Sequence, residues 1–193
     1  MQSYKFRSVT LVAAMAACSL AFVGCTTTRS ANDSGASSRA STDAQVSAAL
    51  SKLYSTVPSS REMVSKAAGV LVFPQVVGAS LGVGAEYGRG ALLTGGKTEA
   101  YYSTTQGSLG FQAGAQSKAV IYLFNTQEAL NKFRNSKGWT AGADATVAVA
   151  KIGANGAIDT QSVRQPVVSF VMTNVGLEAG VSVSGAKITK IDM

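Results

Sequence analysis

Three basic residues, Lys132, Arg134 and Lys137, stand close together just before Trp139, the only tryptophan in the chain. Lysine and arginine draw a protein surface toward anionic lipid at roughly 1 kcal/mol each, and tryptophan favours the headgroup level of a bilayer. This cluster therefore has the chemistry of a phospholipid-binding surface. The same spacing also fits a solvated helix face with Trp139 tucked into the core.

A second chemistry-bearing residue is Cys25. It follows a basic start (Lys5, Arg7) and an apolar run from Val9 to Val23 that stops at Gly24, the parts of a secretory signal over residues 1–24. The run Phe22-Val23-Gly24-Cys25 resembles the bacterial lipobox, whose cysteine sulfur receives a diacylglyceryl group before cleavage, although Phe22 stands where leucine is usual. The alternative is an ordinary cleaved signal with an incidental cysteine. Thr26 is not the aspartate that favours inner-membrane retention, so a lipidated chain is expected at the outer membrane, facing the periplasm.

Other chemistries are disfavoured. Histidine is absent, which removes Ser/His and Cys/His pairs, most zinc sites and the commonest general base. Gly95-Gly96-Lys97-Thr98 looks like the end of a phosphate-binding loop, but Ala91 stands where the first glycine is needed, and Glu99 to Tyr102 reads as strand. Gly82-Val83-Gly84 lacks the third glycine of a dinucleotide loop, since Tyr87 occupies its place. The carboxylates Glu86, Glu99, Asp144, Asp159 and Glu178 are isolated, with no pair for acid/base work and no calcium loop. Glu86 reads as a solvent-facing strand residue, its alternative being a buried pair with Arg89. No catalytic residue, metal or cofactor is expected, and no nucleic acid, because stacking aromatics are not interleaved with the basic residues. The 17 Lys+Arg against 10 Asp+Glu leave a positive balance after Lys5 and Arg7 are removed. That suits anionic partners, or a surface that is basic without consequence.

These residues need elements to hold them. Residues 25–41 are rich in Ser, Thr and Ala with no large apolar side chain and read as a flexible tether. Thr42-Asp43-Ala44-Gln45 fits a capping box, followed by an apolar stripe of Val46, Ala49, Leu50, Leu53, Tyr54 and Val57. The stripe faces a core or, near a lipid anchor, the membrane interface. Pro58 ends this helix, and Ser59-Ser60-Arg61-Glu62 opens a short second one through about Ala68. From Gly69 the chain turns to strands. Val70 to Phe73 is apolar throughout and is broken by Pro74, and glycine recurs at Gly78, Gly82, Gly84, Gly88 and Gly90, which marks bends or close backbone approach. Gly95-Gly96 predicts a hairpin. Ala119 to Phe124 reads as a fully buried strand, and a third helix starts at Asn125 or Thr126, with Ala129, Leu130 and Phe133 inward, a Glu128–Lys132 pair, and its end near Gly138. Strands are expected at Thr146 to Ala150, Val167 to Met172 and Val181 to Ile191, with a turn at Ala154-Asn155-Gly156 and a bulge at Gly185.

Three blocks, "AAGVLVFPQVVGASLGVGAEYGRGALL", "YYSTTQGSLGFQAGAQSKAVIYLFNTQEALNKF" and "GADATVAVAKIGANG", resemble the SYLF domain in content and order. The resemblance runs from Ala44 to the C-terminus. Bacterial members are mostly secreted or lipid-anchored, and eukaryotic ones sit in phosphoinositide-binding and actin-patch proteins. It implies a lipid-binding module without enzymatic activity over residues 42–193. The fold expected is α+β, a strongly curved, largely antiparallel and barrel-like sheet with about three packed helices. The functional expectation is a lipid-anchored, non-catalytic envelope protein that binds anionic phospholipid. The alternative is a structural envelope protein that holds a protein partner on its sheet surface.

Overall fold

The computed structural model describes residues 31–110, 115–151, 158, 164–178 and 182–193. Cys25, the rest of the leader and the turn at Ala154-Asn155-Gly156 lie outside the described residues. In chain order the elements are α1 (Ala31–Thr56), α2 (Ser60–Lys66), β1 (Gly69–Thr94), β2 (Lys97–Gly110), β3 (Ala115–Phe124), α3 (Gln127–Asn135), β4 (Trp139–Thr140), β5 (Val147–Val149), β6 (Val167–Met172) and β7 (Lys187–Ile191). The described strands form one curled, half-barrel sheet in the order β4-β7-β2-β1-β3-β6-β5. Every pairing is antiparallel except β5 with β6. The α+β class is as the sequence predicts.

β1 organises the sheet. Its first half pairs with β3 (Gly69↔Phe124 to Ala79↔Ala115) and its second half with β2 (Gly82↔Gly110 to Thr94↔Lys97). Between them the strand doubles back on itself. A Cβ on Gly90 would lie 2.0 Å from the Val72 carbonyl oxygen, and one on Gly88 would lie 2.8 Å from the Gln75 carbonyl oxygen. Both approaches are to backbone, which has no rotamer with which to move aside, so these two positions require glycine. Pro74 does not break the strand. It sits in a bulge between Phe73 and Val76, where its missing N–H costs no ladder bond. The hairpin at Gly95-Gly96 forms as predicted, with φ of +57° and +77°, the left-handed pair of a primed turn.

The curl gives the sheet two buried faces. Leu71, Phe73, Leu92, Tyr122 and Phe124 point inward with Leu130 and Phe133 of α3. Val70, Val72, Ile121, Leu123 and Phe170 point outward, under Val46 and Leu53 of α1 and Val57 just after it. The apolar stripe of α1 is thus core, and the continuous apolar runs of β1 and β3 follow from burial on both faces.

Both helix starts differ from expectation. α1 begins at Ala31, so residues 31–41, expected as tether, are helical. Arg39 donates to the Met193 carbonyl, and Gly35 lies against the same residue, so tertiary contact holds turns that carry no apolar stripe. Thr42 is therefore mid-helix, its hydroxyl donating to the Ser38 carbonyl at 3.0 Å rather than capping. Ser59 precedes α2 in helical conformation and makes no side-chain cap. At the C-terminal end, Gly185 (φ +86°) lies in a turn rather than a bulge, and β7 starts only at Lys187.

Gly90→Ala should destabilise the fold by about 3 kcal/mol, since backbone must shift to admit the methyl group. Gly107→Ala, with open space at its Cβ position, should stay within about 0.5 kcal/mol. Urea unfolding of both variants checks the pair.

Candidate functional site

α3 carries the predicted basic cluster. Its N-cap is Thr126, whose side-chain oxygen accepts from the Ala129 N–H at 3.1 Å, and Leu130 and Phe133 are buried. The inward pair fixes the helix's rotation and turns Lys132 to solvent. Lys132 does not close the expected pair with Glu128. Its Nζ donates to the Asp144 carbonyl at 2.6 Å, while Lys137, past the helix end, is exposed.

Arg134 reaches the β1–β2 hairpin. Its Nη2 donates to the Glu99 carboxylate and, at 3.1 Å, to the Thr94 hydroxyl, and Thr94 donates in turn to Glu99 at 2.6 Å. Glu99 is available because it is an extra residue in the ladder: Leu92 faces Ala100 and Leu93 faces Thr98, leaving Glu99 unmatched at a bulge, the usual device for re-aiming a strand side chain. Burial by itself would raise the Glu99 pKa. The hydrogen bonds from Thr94 and Arg134, and the charges of Arg134 and Lys190, outweigh it and hold the carboxyl below its ordinary range.

Trp139 lies elsewhere than a headgroup-facing residue would. It is 1% exposed, packed edge-on against Tyr122, Phe124 and Phe133 with ring centroids 6.0, 6.2 and 5.6 Å away. Pairing of β4 with β7 sets Trp139 opposite Ile188, and both belong to the inner core. The indole is the floor under the cationic surface and no part of that surface.

The fold brings two further cations nearby. Lys187 and Lys190 lie on β7, both exposed, and Lys190 pairs with Tyr102 in the ladder, close enough to Glu99 to lower its pKa. The Lys187 ε-carbon is 3.6 Å from where a Gly138 Cβ would sit. Exposed cations thus surround β4 and β7, with Lys137 and Lys187 beside Gly138 and Lys190, on the other face of β7 by alternation, near the Arg134–Glu99 pair. Sequence distance hid the β7 lysines. The signal that could have found them is the pattern Lys187-Ile188-Thr189-Lys190, in which the buried Ile188 fixes the register of its neighbours.

Glu86 pairs with Lys118 at 2.8 Å, not with Arg89, and is largely buried rather than solvent-facing. Among the described residues no three His, Cys, Asp or Glu side chains gather as a metal site, and no helix is long and apolar enough to cross a membrane.

Residues 105–192 match the family model Ysc84, described as Las17-binding protein actin regulator. The Ysc84 (SYLF) domain match is thus to residues 105–192, in line with the resemblance in the sequence. The matched residues run from the end of β2 through β7 and include the four lysines and Arg134. α1, α2 and β1 lie before it. No curated protein matches the chain.

Glu99→Gln should cost about 1 kcal/mol near neutral pH, the range of a partly exposed pair. Because the folded state lowers the Glu99 pKa, its stabilisation is present above the unfolded carboxylate's pKa and is lost as pH falls through the folded value. The stability gap between wild type and Glu99→Gln should therefore close below about pH 4, as read by urea unfolding at several pH values.

Proposed function

We propose that this is a lipid-anchored, non-catalytic protein of the bacterial envelope whose SYLF domain binds anionic phospholipid through the exposed cations around α3 and β7. The observation that carries the reading is the gathering of exposed cations, Lys132, Lys137, Lys187 and Lys190, around α3, β4 and β7, with the nearby Glu99 already engaged by Arg134. Lysine ammonium groups on flexible stems suit a fluid layer of phosphates, because each acts as a point charge without fixed geometry. The family match supports binding as the activity, since SYLF domains are associated with lipid binding and protein interaction. The absence of histidine fits a module that binds without catalysing.

The anchor is Cys25, whose sulfur receives a diacylglyceryl group before residues 1–24 are removed, with Thr26 directing the protein to the outer membrane. With the last-described N-terminal residue at Ala31, only a few residues separate the acyl group from α1. The domain would then be held close to the bilayer, and a modest attraction by four lysines would suffice to orient it.

Full chain should float with anionic vesicles at low salt and not with neutral ones. Lys137→Ala/Lys187→Ala/Lys190→Ala should weaken that binding about a hundredfold, from roughly 1 kcal/mol per basic residue. Unchanged flotation of the triple variant would move the lipid surface off these cations. In cells, Cys25→Ser should abolish incorporation of radiolabelled fatty acid, whereas equal labelling of the variant would exclude the anchor at this position.

A further inference from the structure

We infer that the groove between α1 and the bend of β1 is a docking site for an extended acidic polypeptide segment, anchored by Arg89 and Tyr87. The inference goes beyond the phospholipid reading and concerns a different surface, whose two anchoring residues precede the residues matched to the family.

Two clefts, of about 410 and 320 Å³, lie side by side here and share Gln45, Pro74 and Gln75 as lining residues, so they make one elongated groove. Its shape follows from β1. Gly88 and Gly90 face inward against Gln75 and Val72, so alternation turns Tyr87 and Arg89 outward. Three large apolar or aromatic side chains are exposed among the described residues, and two of them, Val77 at 43% and Tyr87 at 47%, line this groove. Exposed apolar surface gathered in one place, with polar residues around it, marks an interaction site more often than scattered exposure does.

The charge is one-sided. Lys52, Lys118 and Arg89 line the two clefts, and no carboxylate does. Lys118 is held by Glu86, and Lys52 donates to the Thr173 carbonyl. Arg89 differs. Its Nε donates to the Tyr87 hydroxyl at 3.1 Å, which orients the guanidinium, and among the described residues its terminal nitrogens have no partner. That leaves a preset fork of N–H donors for a carboxylate. Tyrosine and arginine are also the residue types that concentrate binding energy at protein interfaces.

The remaining lining favours a polypeptide over an acyl chain. Ser41, Thr42, Gln45, Gln75 and Asn174 offer hydroxyls and amides that suit main-chain N–H and C=O groups. An acyl chain would use none of their remaining hydrogen-bonding capacity and would desolvate Gln75 and Asn174 at a cost. The elongated form suits a strand-like segment whose alternate side chains reach Arg89 and the Val77–Tyr87 surface.

The test is fluorescence anisotropy on the full chain. The probe is a fluorescein-labelled peptide of alternating Glu and Val, compared with a copy carrying Gln for Glu. The acidic probe should bind saturably, and the Gln copy about tenfold more weakly or worse. Arg89→Gln and Tyr87→Ala should each weaken the acidic probe about tenfold, with thermal melting unchanged because both side chains are exposed. Lys137→Ala/Lys187→Ala/Lys190→Ala should leave it unchanged, which separates this groove from the lipid surface. No saturable binding, equal binding of the Gln copy, or indifference to both groove variants would overturn the inference. Loss of vesicle flotation in Arg89→Gln without loss of peptide binding would overturn it as well, assigning the groove to lipid.

Discussion

The contact between Gly90 and the Val72 carbonyl sets the shape of this protein. β1 pairs with β3 through its first half and with β2 through its second, and the two halves pass so closely that a single methyl group has no room. The consequences spread along the alternation of β1. Inward positions must be small where the halves touch and large where they diverge, as Gly88, Gly90 and then Leu92 are. Outward positions are free of that constraint, which is why Tyr87 and Arg89 can stand beside glycines. The curl also makes an enclosed inner face, and that face receives α3.

The inner core then does the long-range positioning. Tyr102, Tyr122, Phe124, Phe133 and Trp139 form a continuous ring cluster, with neighbouring centroids 4.8 to 6.2 Å apart. Aromatic pairs of this kind contribute about 1 kcal/mol each beyond the area they bury. The cluster joins α3 to β4, and ladder pairing joins β4 to β7, which brings lysines from two distant parts of the chain near each other. The charged layer above is less rigid. Arg134 is fixed by Glu99 and Thr94, whereas Lys137, Lys187 and Lys190 project from the packed layer on their own stems. Exposed cations over a packed floor attract anions through a field that is expected to fade with salt.

Local chemistry was readable where it is decided locally. The Gly95-Gly96 turn, the Thr126 cap, the inward pair Leu130 and Phe133, and the buried run from Ala119 to Phe124 all appear where short-range rules place them. The misses share a cause. Thr42 has the residue pattern of a cap, but contact with Met193 extends the helix past it. Pro74 has the chemistry of a break, but a bulge accommodates it. Glu86 looked isolated in sequence because Lys118, on the neighbouring strand, is its partner.

The site divides along the same line. The sequence alone determined that the chain is α+β, that its glycine-rich stretch needs close backbone approach, that histidine-based chemistry is absent, and that Lys132 and Arg134 lie on a helix with Lys137 just beyond it, because composition and short-range periodicity carry those facts. Only the tertiary structure decided which of those cations is engaged, that Trp139 is core, and that Lys187 and Lys190 lie near them. Those outcomes depend on which strand lies beside which, and pairing between distant segments is fixed by burial of the whole inner face and not by any residue's neighbours in the chain.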